Sequence, residues 1–257
     1  MSYVLSFSGG IDSTSLLLKL ISKNKDIYAL TFDYGQKHNI EIEFAKKNIA
    51  YLSKHGFNIH HQIINISELV NILESSLTNK NIKVPEGHYL DDNMKSTFVP
   101  NRNAIFSSII YAYAISIYKQ TKKEVTLSLG VHSGDHLIYP DCRPDFYKQI
   151  MEAFKLGNWD SENISIYLPY INIDKSDIIK DGIKSCQTLN LDYEVIYRNT
   201  LTTYFPDTNG ASNGKTGSDI ERILAFNQLG LEDPGLYTKP WKELIENALD
   251  SENNIKP

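Results

Sequence analysis

Apolar positions fall into short unbroken runs separated by longer stretches in which they recur every three or four residues. Residues 3–8, 27–32, 59–64 and 125–130 read as short buried strands, and 13–21, 40–54 and 103–119 between them carry the period of helices. Further on, 144–157 reads as a helix, 164–167 as a strand and 176–190 as a helix. Strands alternating with helices predict a parallel sheet covered on both faces, an α/β three-layer domain of the Rossmann type. The pattern breaks at 202–218, TTYFPDTNGASNGKTGS, where three glycines sit among short polar residues. Ser218 stands three residues before Glu221 and ahead of an apolar run, which predicts a capping box opening a C-terminal helix. The expected division is an α/β domain over 1–200 and a small appendage of loop and helices over 201–257.

The chain has 257 residues, 41% of them hydrophobic, enough for a proper core. No apolar stretch reaches the roughly 18 residues a membrane span needs, and the start lacks a basic region followed by an apolar signal core. A soluble cytoplasmic protein is expected, with no membrane partner. A net charge of −5 argues against gripping a nucleic-acid backbone, which needs clustered positive charge. Cys142 and Cys186 are the chain's two cysteines and lie far apart, so neither a disulfide framework nor a zinc knuckle is encoded by their spacing.

Chemistry concentrates after the first strand, in Ser8-Gly9-Gly10-Ile11-Asp12-Ser13-Thr14. In a parallel sheet this is where a helix N-terminus offers unpaired N–H groups to an anion. The glycines let the backbone approach a phosphate, and the Ser8, Ser13 and Thr14 hydroxyls can donate to it. A kinase-type loop would carry a lysine beside its hydroxyl residue, whereas this turn carries Asp12. An aspartate beside a polyphosphate calls for a bridging cation, so Asp12 is a candidate magnesium ligand.

The SGGxDST string resembles the signature of the pyrophosphatase-loop (PP-loop) ATPases, whose adenine nucleotide α-hydrolase-like fold binds ATP and releases pyrophosphate. Four more stretches extend the likeness: Phe32-Asp33-Tyr34-Gly35-Gln36-Lys37-His38 with Glu41; Thr97-Phe98-Val99-Pro100-Asn101-Arg102-Asn103; Gly130 with Asp135 and Tyr139-Pro140-Asp141-Cys142-Arg143 and Phe146; and Asp174-Lys175. In order and over most of the chain they resemble the 7-cyano-7-deazaguanine synthase family of queuosine biosynthesis. The resemblance implies an ATP-dependent C–N ligase. It would adenylate the carboxylate of 7-carboxy-7-deazaguanine, accept ammonia to form an amide, and dehydrate the amide to a nitrile. A homodimer is implied as well.

Residue by residue, Asp12, Arg102 and Lys175 are the expected catalytic groups, Lys175 by neutralising the α-phosphate and Arg102 by clamping a carboxylate or phosphate. Ser8, Gly9, Gly10, Asp12, Ser13, Thr14, Asp33 and Gly130 are expected at the nucleotide, Asp33 either on the ribose or as a turn former. Tyr34, Gln36, His38, Arg102, Asn103, Asp135, Tyr139, Asp141 and Arg143 are expected at the deazapurine, with Tyr34, Tyr139 or Phe146 stacking on the base. Cys142, flanked by charge, is either a thiolate or an inert buried thiol.

One part of the family pattern is missing. A cysteine and a later C-x-x-C-x-x-C hold a structural zinc in the family, and here Thr203, Asn213, Thr216 and Asp219 stand at those positions. None is a thiolate or imidazole, so no zinc is expected, and the loop is expected to be mobile or ordered by a partner. The change leaves the acceptor open. Ammonia would lead to the nitrile, a protein amine would lead to an amide conjugate of the kind that bacterial anti-phage systems suggest, and a non-catalytic nucleotide-binding subunit is the third reading.

Overall fold

The computed structural model describes residues 1–253 except 24–25, 37–39, 79–80, 83–84 and 88–91. Five strands, β1 (Ser2–Ser6), β2 (Asp26–Asp33), β3 (His60–Asn65), β4 (Val125–Ser128) and β5 (Ile164–Tyr167), form one parallel sheet in the order β3-β2-β1-β4-β5. The chain builds outward from β1 to one edge, then returns to β4 on its other side. The order therefore reverses between β1 and β4, and the crevice beyond their carboxyl ends is where ligands bind in such sheets.

Successive side chains of β1 point to opposite faces and seed two cores. Leu5 joins Leu16, Leu17 and Leu20 of α1 (Ile11–Ser22), Ala45 and Leu52 of α2 (Ile40–Lys54), and Ile178 and Ile179 of α5 (Lys175–Leu189). Val4 joins Ile110 and Ala114 of α3 (Arg102–Thr121), Leu127, and Met151 of α4 (Pro144–Gly157). The α/β three-layer architecture expected from the alternation is the one observed. No helix among the described residues is long and apolar enough to cross a membrane.

The short α6 (Tyr193–Arg198) leads back to the turn after β1, where Leu201 N donates to Gly9 O at 3.1 Å. Then come α7 (Gly217–Gln228) and α8 (Trp241–Asn253), which share a small core of Ile220, Ile223, Leu244 and Ala248. Arg222 ties α7 to the following loop: its guanidinium makes a buried fork on Asp233, at 2.6 and 2.8 Å, and Nη1 donates to Thr200 Oγ1 at 2.9 Å.

Three sequence expectations need correcting. The strand over 59–64 is an edge strand, with His60, Gln62, Ile63 and Asn65 exposed, because β3 pairs on one side only. The first helix begins at Ile11, two residues early, since Gly9 turns the chain at φ 86° and Gly10 stands at the N-cap. The capping box of α7 is Thr216 with Asp219, not Ser218 with Glu221: Thr216 has the extended backbone of an N-cap, while Ser218 already lies in the helix.

Candidate active site

The turn after β1 is shaped by what its glycines omit. A β-carbon on Gly9 would sit 2.8 Å from Glu41 O, and one on Gly130 would sit 3.0 Å from Asp12 C and Ser13 N. Both positions let backbone pack where a side chain would intrude, drawing α2 and the exit of β4 against the start of α1. Gly10 supplies no side-chain cap, so the first-turn N–H groups of α1 keep their capacity for an anion. Ser8 Oγ and Ser13 Oγ lie 3.1 Å apart at the rim.

Beyond the turn lies a cleft of about 250 Å³. Its charged end gathers residues from four separate segments. Lys175, the first residue of α5 behind the Asp174 cap, is 4% exposed; its Nζ donates to Asp12 Oδ2 at 2.9 Å and lies 3.0 Å from Glu221 Oε2 of α7. Burial alone would raise the Asp12 carboxyl, but the Lys175 ammonium, with His132 behind it, outweighs this and holds it below its ordinary range. Asp12 Oδ1 is buried and has no hydrogen-bond partner among the described residues.

His132, also buried, accepts the Gly134 N–H on Nδ1 at 3.1 Å. Its Nε2 lies 3.5 Å from Asp135 Oδ2 and 3.9 Å from Asp12 Oδ2, while Nδ1 is 3.7 Å from Glu221 Oε1.

The other wall is aromatic and basic. Phe32 and Phe106 stack at 4.2 Å, and Tyr34 tilts against Phe106 at 5.5 Å. Arg102 opens α3, with Nη1 3.5 Å from the Tyr34 hydroxyl and the guanidinium over the Tyr34 ring. Gln36 Nε2 donates to Glu41 Oε1 at 2.5 Å while Gln36 Oε1 accepts the Tyr34 N–H at 2.9 Å. Burial pushes the Glu41 carboxyl up to about 7, against the opposing pull of Gln36 and Arg102.

Most residues singled out in the sequence converge here. Ser8, Gly10, Asp12, Ser13, Gly130, Asp135 and Lys175 line the charged end and the turn, and Tyr34, Gln36, Arg102 and Asn103 line the rest, with Gly9 directly behind. Others do not reach it. Thr14 is fully buried beneath the turn. Asp33 Oδ1 accepts the Gly35 N–H at 3.2 Å, the turn-forming alternative. Tyr139 is buried with its hydroxyl 2.6 Å from Thr97 Oγ1, and Phe146, on α4, packs against the core. Asp141 Oδ2 accepts the Asn103 N–H at 3.2 Å and so satisfies a donor at the start of α3 rather than facing the cleft. Arg143 is exposed, and its Nε donates to His136 O at 2.8 Å. His38 falls outside the described residues.

Cys142 lines the cleft, and burial pushes its thiol well up, with Asp135 and Asp141 adding to the shift, which favours the inert alternative. Among the residues that sequence reasoning passed over are His132 and Phe106, which line the cleft, and Glu221, which reaches Lys175 from α7. His132 had a usable signal, sitting two residues past Gly130 at the exit of β4.

Of the four positions that the resemblance matches to the family's zinc ligands, three side chains meet one another. Asp219 Oδ2 accepts from Thr216 Oγ1 at 2.6 Å, Thr203 Oγ1 at 2.9 Å and Thr216 N at 3.1 Å, with Ser212 bonding the same carboxyl. Asn213 stays apart, its Oδ1 accepting the Lys215 N–H at 3.0 Å. Hydroxyls, an amide and a lone carboxylate do not fit tetrahedral zinc. The loop, expected to be mobile or ordered by a partner, makes these bonds within the chain itself, joined by Asp207 Oδ1, which accepts the Asn209 and Ala211 N–H groups at 2.8 Å. Magnesium fits the Asp12 site differently. Among the described residues no cluster of three or more His, Cys, Asp or Glu could hold a metal alone, and magnesium characteristically takes one or two carboxylates and completes its shell with phosphate oxygens.

Comparison with known proteins places these features in one lineage. A protein-family model described as queuosine biosynthesis protein QueC matches residues 2–230. The chain is 42% identical over 236 residues to 7-cyano-7-deazaguanine synthase 2 of Colwellia psychrerythraea, covering 91% of this chain and 98% of that one. It is 43% identical over 237 residues to the 7-cyano-7-deazaguanine synthase of Methanoregula boonei, covering 92% and 99%. Among solved structures, NMN synthetase from Francisella tularensis aligns over 100% of this chain and 89% of its own with a TM-score of 0.42 and 15% identity, a loose likeness.

Proposed function

The chain belongs to the QueC family, and from that premise we propose that it adenylates the carboxylate of 7-carboxy-7-deazaguanine, or of a close 7-deazapurine acid, at the expense of ATP. The turn with its free N–H groups takes the pyrophosphate portion, and Lys175 faces the α-phosphate. The observation that carries this reading is Asp12, whose Oδ2 holds Lys175 while Oδ1 is buried and unpartnered beside an anion-ready helix start. Asp12, Asp135 and Glu221 together put more negative than positive charge around Lys175. A bare triphosphate would be repelled there, so the nucleotide is expected to enter with a divalent cation. When bound, magnesium would draw charge off the phosphates, with Asp12 as the ligand this chain offers.

The reaction follows from the charges. A carboxylate oxygen of the acid attacks the α-phosphorus, the bond to the β,γ-unit breaks, and pyrophosphate leaves. The resulting acyl adenylate is an electrophile where the free carboxylate is not. A nitrogen nucleophile then adds to its carbon, AMP departs, and an amide remains; a second activation of the amide oxygen gives the nitrile. Arg102, fixed over Tyr34, suits the acid's carboxylate, and the Phe32–Phe106 stack offers the flat surface a deazapurine requires. Cytoplasmic placement and a homodimer belong to the same proposal and rest on the resemblance.

One observation favours a second reading, in which the nitrogen donor is a protein amine and the product an amide conjugate. The exchanged position Thr203 lies between Thr202 and Tyr204, both of which line the cleft, so divergence at the former thiolates bears on the cleft wall. Incubation with ATP, magnesium and 7-carboxy-7-deazaguanine, with and without ammonium, separates the readings by product mass. The nitrile is expected with ammonium. A mass gain on a protein equal to the acid less water, with no nitrile formed, would point to the second reading, and no AMP or pyrophosphate with any acceptor would defeat both.

A further inference from the structure

Carboxylates from opposite ends of the chain meet on one ammonium. Lys175 Nζ is 2.9 Å from Asp12 Oδ2 on α1 and 3.0 Å from Glu221 Oε2 on α7, within a buried side chain. The other Glu221 oxygen faces His132 Nδ1 at 3.7 Å, and Gly134 lacks the β-carbon that would collide with it. The ground beside Lys175 is cut for a carboxylate arriving from α7.

One carboxylate is enough to neutralise one ammonium, so a second needs a reason. Asp12 has a second demand on it, the buried and unpartnered Oδ1 at the phosphate turn. A cation arriving with the triphosphate would draw the Asp12 carboxylate toward itself and weaken its hold on Lys175. A buried ammonium stripped of its counter-ion is strongly disfavoured and would swing out of line.

We propose that Glu221 is a positioning residue that keeps the Lys175 ammonium aimed into the cleft while Asp12 serves the cation, so that the C-terminal segment completes the site. The claim rests on the reading of the turn as the triphosphate site. The reach of Glu221 is set one step upstream: Thr216 caps α7, and Asp219, held by Thr203 and Thr216, fixes the start of the helix two residues before it. The hydrogen-bonded cluster at the former thiolate positions therefore does more than fill space. It sets the register that brings Glu221 Oε2 to 3.0 Å from the Lys175 ammonium, an ion pair without hydrogen-bond alignment.

The test compares Glu221→Gln, which keeps the shape and removes the charge, with Glu221→Asp, which keeps the charge. In pyrophosphate release the Gln variant is expected to lose about tenfold in kcat with the KM for ATP within about twofold of wild type, and the Asp variant to recover part of the loss. A Gln variant with unchanged kcat overturns the proposal. Should the wild-type protein release no pyrophosphate, the functional reading fails by itself, and the positioning claim is read on the nucleotide-free protein. Reductive methylation by formaldehyde and borohydride, followed by peptide mass spectrometry, is then run with the Asp12 counter-ion removed, and is expected to label Lys175 several-fold faster in the Asp12→Asn, Glu221→Gln double variant than in Asp12→Asn alone or in Asp12→Asn, Glu221→Asp. Equal labelling in all three overturns it.

Discussion

Asp12 is divided between a lysine it already holds and a buried oxygen that nothing holds. Replacing it with Asn keeps the size and removes the charge that both tasks need, so Asp12→Asn should lower magnesium-dependent pyrophosphate release by at least about tenfold, and an unchanged rate would reject its role. Glu41 makes a prediction about pH. Its folded carboxyl titrates at about 7 against 4.5 for the free group, so its contribution to stability is complete below about 4.5 and is lost as pH rises through about 7. Glu41→Gln cannot ionise. Its melting temperature should therefore gain on wild type between pH 5 and 8, by the equivalent of about 1–2 kcal/mol, and parallel melting curves across that range would contradict the assignment. Asp12 and Lys175 were legible because each sits at a strand-to-helix junction where anion chemistry is expected. Glu221 was not, since nothing local marks one carboxylate among 31 acidic residues as the one that folds back onto Lys175. Asp141 and Arg143 erred the other way: they neighbour cleft residues in sequence but are spent on α3 and the His136 carbonyl.

At the level of elements, the start of α7 carries the most consequence. The sequence pattern correctly placed a cap there but chose the wrong pair, because Ser218–Glu221 and Thr216–Asp219 both satisfy the spacing and only the backbone at Thr216 decides between them. Asp219 is 1% exposed and accepts three hydrogen bonds on one oxygen. Asp219→Asn retains an oxygen for those donors, whereas Asp219→Ala leaves them unpaired in a buried site. The Ala variant should lose about 1–3 kcal/mol in denaturant unfolding and the Asn variant clearly less. Chelation should leave the wild-type melting temperature where it is; a drop on adding EDTA in the absence of nucleotide, or equal losses in the two variants, would show that something other than these hydrogen bonds seats the loop. The five strands and the five longer helices up to residue 190 were readable from period alone, with helix limits such as Ile40–Lys54 and Pro144–Gly157 recovered in full, whereas the six-residue α6 is too short to show a period and was not read. The edge position of β3 was not readable, because which strand lacks a neighbour depends on the order of the whole sheet.

For the molecule as a whole, the strand order puts the crevice between β1 and β4, and the glycines at 9 and 130 let α2 and the exit of β4 close on the start of α1 at the point where the order reverses. Residues from both ends of the chain then close on it: the turn and α1 from the beginning, Leu201 and Glu221 from the end. On the proposed reading, a protein of net charge −5 takes up an anionic nucleotide because the accompanying cation offsets the local negative balance around Lys175, while the distant surface charge is screened. The central claim is that the acid's own oxygen attacks the α-phosphorus. The most direct measurement uses 7-carboxy-7-deazaguanine labelled with oxygen-18 in its carboxylate, with ATP, magnesium and ammonium, and reads the isotope in the nucleotide product. The account predicts that AMP leaves carrying one labelled oxygen from the acid; unlabelled AMP, or ADP and labelled inorganic phosphate in its place, would contradict it.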